Sequence, residues 1–131
     1  MTMIQKVIVV EGKSDKKRVK EVLNESVEII CTHGTMSIEK IDNMLDDLYD
    51  KDVFILADAD EEGEKIRKWF RMYLSESTHI YIDSTYNEVS RCPRHYLSRR
   101  LERFGFKVKK DFVLKGKYTY HECYRAIEQY I

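Results

Sequence analysis

Short, unbroken apolar runs alternate with helical stripes along most of this chain. Val7-Ile8-Val9-Val10, Val27 to Cys31, Val53 to Ala57 and His79 to Ile82 read as strands. The runs at Val7 and Val53 contain no polar alternation, as expected of parallel strands covered on both faces. Between the runs, apolar residues recur at helical spacing. Gly12-Lys13-Ser14-Asp15 turns into a helix with Val19, Val22 and Leu23 on one face and Lys16, Lys17, Arg18 and Lys20 mostly outside. A second stripe is Ile38, Ile41, Leu45 and Leu48, and a third is Ile66, Trp69, Phe70 and Tyr73. Repeated strand-then-helix order implies right-handed crossovers. The predicted class is α/β and Rossmann-like: a mostly parallel sheet of about four strands with helices on both faces.

The pattern changes after Ile82. Cys92-Pro93 predicts an N-cap followed by proline at the first helical position. That helix runs to about Phe104 and stops at Gly105. Its inner face is Leu97, Leu101 and Phe104, while Tyr96, Arg99, Arg100 and Arg103 fall along another face. Phe106 to Leu114 predicts a further strand, at an edge. Thr119-x-x-Glu122 is a capping-box signature opening a last helix that buries Cys123, Ile127 and Tyr130. The organisation expected is a core over residues 1–82 and a short basic α/β extension, residues 83–131, packed on the same domain.

Composition narrows the class of function. A length of 131 residues suits one domain. No apolar stretch approaches the ~20 residues needed to span a bilayer, so no membrane role is expected. The amino terminus runs straight into a strand and lacks a signal peptide's apolar region. Three scattered cysteines without a CxxC pair argue against a disulfide framework and structural zinc, and suggest a reducing cytoplasm. Net charge is zero, yet between Arg91 and Arg125 eleven Lys or Arg face three Asp or Glu. A basic third beside an acidic remainder suggests a polyanion held near an acidic cluster, although charge runs are often merely solvated faces.

The acidic residues gather where strands end. Glu11-Gly12 follows the first strand, and Asp58-Ala59-Asp60-Glu61-Glu62-Gly63 follows the third. Such positions face the crevice outside the sheet's carboxyl edge. If the two strands are neighbours, ~4.8 Å apart, Glu11 faces Asp58 and Asp60. Two unit charges ~4 Å apart repel by roughly 4 kcal/mol at an effective dielectric of about 20. Three converging carboxylates therefore call for a cation, and oxygen-only ligands favour Mg2+, with Mn2+ as substitute. Helix N-capping explains Asp60 reasonably. It explains neither a glutamate at position 11 nor the doubled aspartate. Gly12-Lys13-Ser14 matches the tail of a Walker loop, but Val7 stands where the loop needs its first glycine. A receiver domain would want several acids after strand one, and a haloacid-type phosphatase would want its Asp-x-Asp there.

Val9-Val10-Glu11-Gly12-Lys13-Ser14-Asp15, Thr32-His33-Gly34-Thr35 and Ala57-Asp58-Ala59-Asp60-Glu61-Glu62-Gly63-Glu64-Lys65-Ile66 occur in order, each at a strand end. Together they resemble the Toprim domain shared by topoisomerases, primases, OLD-type nucleases and RecR-type repair proteins. The likeness covers Lys6 to Ile82. Gly63-Glu64-Lys65-Ile66-Arg67 is most similar to the nuclease that matures the smallest bacterial ribosomal RNA. The resemblance implies that Glu11 acts as general acid or base or as a metal ligand, and that Asp58 and Asp60 hold magnesium. Gly12, Gly34 and Gly63 would serve backbone geometry. Lys13 and His33 are candidate phosphate contacts, and Arg94, Arg99, Arg100 and Arg103 a candidate grip on a nucleic-acid backbone. Tyr96, Tyr118, Tyr120 and Tyr124 could stack bases or belong to the core. The expected function is Mg2+-dependent cleavage or processing of phosphodiesters, with RNA favoured over DNA. The alternative is a non-catalytic module that binds nucleic acid or a partner protein through a metal-bridged phosphate.

Overall fold

The structure is a computed structural model that describes residues 4–34 and 36–110. Four strands form one sheet: β1 (Lys6–Val10), β2 (Glu28–Cys31), β3 (Asp52–Leu56) and β4 (Thr78–Ile80). They lie in the order β2-β1-β3-β4, and every pairing is parallel. Four helices surround the sheet: α1 (Lys13–Val22), α2 (Ile38–Leu48), α3 (Glu61–Tyr73) and α4 (Arg94–Arg103). A single 3-10 turn, Val89–Arg91, precedes α4.

Alternation along the strands explains their unbroken apolarity. Ile8, Val10, Phe54, Leu56 and Ile80 face one side, where Val19 and Val22 of α1 and Leu97 and Leu101 of α4 cover them. Val7, Val9, Val53 and Ile55 face the other, against Ile41 and Leu48 of α2 and Ile66 and Phe70 of α3. Val7 to Val10 of the central strand are almost wholly buried. Each such side chain stabilises the fold by about 1.5–3 kcal/mol, most of it offset by lost chain entropy. The rings of Phe104 and Phe106 meet Phe54 edge-on at 6.4 and 4.8 Å, so residues beyond Ile82 close the first face rather than trailing from it.

The chain leaves β1 towards β2 through α1 on one face and returns to β3 through α2 on the other. The strand order therefore reverses between β1 and β3. A crevice opens at such a switch point, outside the carboxyl ends of the two strands.

Several expectations need correction. Ile38 is 60% exposed and Tyr73 is 36% exposed, so the second and third stripes are narrower than their spacing predicts. Tyr73 instead stacks on Trp69 at 5.2 Å. The third helix buries Arg67, a residue that periodicity assigns to solvent. The last helix start is displaced by one residue, with Pro93 as N-cap and Arg94 as the first helical residue. Gly105 stops that helix with φ of +90°, as expected. Of the strand expected at Phe106–Leu114, the described part contributes an isolated antiparallel bridge from Val108 to Leu23. The capping box at Thr119 and the helix burying Cys123, Ile127 and Tyr130 lie outside the described residues, as do Thr35, Tyr118, Tyr120 and Tyr124.

Candidate metal centre

Glu11, Asp58 and Asp60 meet at the switch point. One carboxylate oxygen from each lies within 4.8 Å of the others; Glu11 and Asp58 are half-buried and Asp60 is exposed. Each carboxylate is anchored by a backbone amide. Glu11 Oε2 accepts a hydrogen bond from the Asp58 N–H at 2.9 Å. Asp58 Oδ1 accepts from the Val89 N–H at 2.8 Å. Asp60 Oδ1 accepts from the Gly63 N–H at 2.8 Å, which makes it the N-cap of α3. The second oxygen of each remains for a ligand.

The strand ends explain the convergence. Val9 pairs with Ile55 in the parallel register, so Glu11 and Asp58 leave adjacent strands at nearly the same height. On the far side of β1, the Thr32 and His33 amides donate to the Val10 and Glu11 carbonyls at 2.9 and 2.8 Å. That places the His33-Gly34 loop beside Glu11. His33 itself is exposed and adopts φ of 55°. Gly34, with φ of 105°, needs the freedom that only glycine has there.

Gly63 matters for a different reason. A Cβ built on it would lie 2.0 Å from the Asp58 carbonyl oxygen. The first turn of α3 therefore presses directly on the backbone of a site carboxylate, and only glycine permits that approach. Gly12 has no such need. Its φ of −144° is extended, and an added Cβ would come no nearer than 3.9 Å, to Asp15 Oδ2. The expectation that Gly12 is required for backbone geometry is corrected accordingly.

A fourth carboxylate stands behind the three. Asp15 is buried; its Oδ2 accepts from the Gly12 N–H and its Oδ1 from the Ser90 N–H, both at 3.1 Å. The turn at Val89–Arg91 thus gives one amide to Asp58 and the next to Asp15. The Ser90 carbonyl also accepts from Arg18 at 3.1 Å, and the Asn87 carbonyl accepts from the Ala59 N–H at 2.7 Å. Nothing in the sequence pattern signals this clasp, because it joins residues 75 positions apart.

Uncompensated charge shows in the titration. Burial, followed by the adjoining Glu11 carboxylate, pushes Asp58 up to about 7. Burial and the nearby Asp58 also raise Asp15 above the usual carboxylate range. An all-oxygen set that holds a proton near neutrality for want of positive charge suits a hard divalent cation, and the donors are of the type that Mg2+ or Mn2+ takes.

The remaining candidates divide. Lys13, the first residue of α1, is exposed next to Gly12. Arg94 is engaged with Glu21 across the α1–α4 contact. Arg100 donates to the Tyr81 carbonyl at 2.9 Å, and Arg103 is exposed near the end of α4. Arg99 is only 7% exposed, so its expected place on an open basic face is corrected: it lies inside the fold. Tyr96 is also buried, and its hydroxyl accepts from the Asp83 N–H at 2.8 Å.

Residues 6–89 match the model of the Toprim domain. The chain belongs to the Toprim family. The solved small Toprim domain protein of Bacillus stearothermophilus superposes with a TM-score of 0.83 at 44% identity, covering 90% of this chain and all of that one. The uncharacterized protein YusF of Bacillus subtilis is 46% identical over 86% of this chain and 77% of its own length. Ribonuclease M5 of Borreliella burgdorferi is 35% identical over 80% of this chain. The chain spans 59% of that ribonuclease's length. The Toprim match includes Val89, so the amide clasp on Asp58 falls within the family's own segment.

Proposed function

We propose that this Toprim protein is a divalent-cation-dependent enzyme of nucleic-acid processing that cleaves phosphodiesters, with RNA as the favoured substrate. The observation that carries the reading is the meeting of Glu11, Asp58 and Asp60 within 4.8 Å at the switch point. The relation to proteins named ribonuclease M5 supports nucleic acid as the partner and RNA as its kind. Free thiols at Cys31 and Cys92 suit a reducing cytoplasm as the working compartment.

In this reading Asp58 and Asp60 hold Mg2+, or Mn2+ in its place, with Glu11 close enough to share it. When bound, the cation supplies charge neutralisation at the phosphodiester, the main requirement of phosphoryl transfer. Glu11 acts as general acid or base. Its Oε2 is tied to the Asp58 amide, which fixes the carboxyl against the cluster while Oε1 stays available for a proton. Asp58 is positioned through Val89 and Asp60 through Gly63, so metal geometry depends on two backbone amides from distant segments. Lys13 and His33 flank Glu11 and contact phosphate oxygens.

The test incubates the pure protein with labelled structured RNA, single-stranded DNA and duplex DNA, in magnesium or in chelator. Products formed only with magnesium, and lost in Glu11→Gln, are expected. Retarded mobility without products in any arm would replace the enzyme by a non-catalytic module that binds a phosphate through the metal. Cleavage undiminished in chelator would remove the metal from the mechanism.

A further inference from the structure

The four lysines of α1 form one line. Lys13, Lys16, Lys17 and Lys20 stand at i, i+3, i+4 and i+7, which places them on a single stripe of the helix. With Glu21 they line a shallow groove of about 400 Å³. Among the described residues, none of the four is held in an ion pair. The nearby arginines are occupied: Arg94 and Arg18 both engage Glu21, Arg91 engages Glu88, and Arg100 is bonded to the Tyr81 carbonyl. Basic residues near the acidic centre thus fall into two sets. The arginines fasten α4 and the 3-10 turn to the fold, and the lysines project into solvent.

The stripe also has a fixed origin. Lys13 begins the helix immediately after Glu11-Gly12, and Asp15 in the first turn shares the Val89–Arg91 clasp with Asp58. At 1.5 Å per residue the stripe runs ~10 Å away from the carboxylates. That length matches about three phosphates of one strand at 3.4 Å each. An acidic centre repels a polyanion unless a cation lies between them. A row of free ammonium groups starting at its edge offers the strand beyond the reacting phosphate a favourable path.

We infer that the lysine stripe of α1 is the track for the nucleic-acid backbone, with one strand leading from the metal centre along the helix towards Lys20. This rests on the proposed nucleic-acid reading and assigns the grip to α1, where the sequence had suggested the arginines of α4.

Binding is measured in chelator, without turnover, by fluorescence anisotropy of labelled single-stranded RNA over a series of salt concentrations. The variant carries Lys13→Gln, Lys16→Gln, Lys17→Gln and Lys20→Gln together; glutamine keeps helix propensity close to that of lysine. Calorimetric titration with Mn2+ verifies that its metal site survives. Three lost phosphate contacts on a single strand should reduce the slope of log K against log salt by about 2, and weaken binding by roughly tenfold or more at low salt. A companion variant, Arg94→Gln with Arg103→Gln, should keep most of the slope. An unchanged slope in the lysine variant, or its loss in the arginine variant alone, overturns the track while leaving the nuclease reading intact. Absence of RNA binding by the wild-type protein overturns both.

Discussion

Replacing Asp58 by asparagine should stabilise the metal-free protein at alkaline pH. Asp58 titrates at about 7 in the fold, against an ordinary value of 3.8. A carboxyl whose folded pKa is raised binds more protons in the native state than in the unfolded chain. Its contribution is therefore complete below about pH 4 and is lost as pH climbs through 7. Roughly three pKa units correspond to about 4 kcal/mol. Asp58 is only half-buried, and solvent screening reduces the figure to about 2 kcal/mol. Asparagine keeps an oxygen for the Val89 N–H and removes the charge that Glu11 and Asp60 oppose. Relief of Asp15, whose pKa Asp58 helps to raise, acts in the same direction.

The wild-type pH curve alone does not isolate this effect. Burial and the adjacent Arg67 hold His79 down at about 4, so His79 adds stability as pH rises from 4 to 6.5, against the trend from Asp58. The difference between wild type and Asp58→Asn removes the histidine's part. Urea or thermal unfolding in EDTA should give a difference near zero at pH 4 and about 2 kcal/mol in the variant's favour at pH 8. For a chain of this size that is a Tm rise of about 6–10 °C. Saturating Mg2+ should reverse the order, because ligand at a hundred times its Kd adds about 2.7 kcal/mol to the wild type alone. A variant less stable than wild type in EDTA at pH 8, or a difference that does not change with pH, would refute the charge argument.

Other changes separate packing from chemistry. Gly63→Ala drives a methyl into the Asp58 carbonyl and should cost about 3 kcal/mol or more in urea unfolding, together with weaker Mn2+ binding by calorimetry. Gly12→Ala, at an extended N-cap with open space, should cost about 1 kcal/mol or less and leave Mn2+ affinity near wild type. Arg67→Met leaves the Ile55, Ala57 and Ile80 carbonyls without their guanidinium donor, and should lower stability by about 3 kcal/mol in the same assay.

Where the physics is local, the sequence was readable. An unbroken apolar run marks a strand covered on both faces, so Val7 to Val10 and Val53 to Leu56 were legible. The acids directly after them pointed to the crevice, and all three arrived there. Periodicity failed where a charged residue is buried. Arg67 occupies an interior position because three strand carbonyls need donors, while Tyr81 lies under its guanidinium at 4.0 Å. A helical stripe counts only apolar residues and so discards it. The signal available was its place at the end of the Gly63-Glu64-Lys65-Ile66-Arg67 segment. Arg99 misled in the same way, since its face of α4 turns inward. The clasp of Val89 and Ser90 on Asp58 and Asp15 uses backbone amides, which carry no residue identity and leave no trace in composition.

That clasp accounts for the position of the basic third. Carboxylates with raised pKa values gain from amide donors, which bring partial positive charge without adding a competing cation. A lysine or arginine placed at Asp58 would neutralise the cluster permanently and compete with a metal for the same oxygens. An amide favours the carboxylate only modestly and leaves room for a divalent ion. The arginines that follow are kept one step away, paired with Glu21 and Glu88 or bonded to the Tyr81 carbonyl. Their charge anchors the segment that delivers the amides. The same segregation leaves α1 as the helix that carries free ammonium groups up to the edge of the centre. Charge asymmetry along the chain thus divides into three physical tasks: carboxylates that take the ion, arginines that hold the clasp, and lysines that meet the strand.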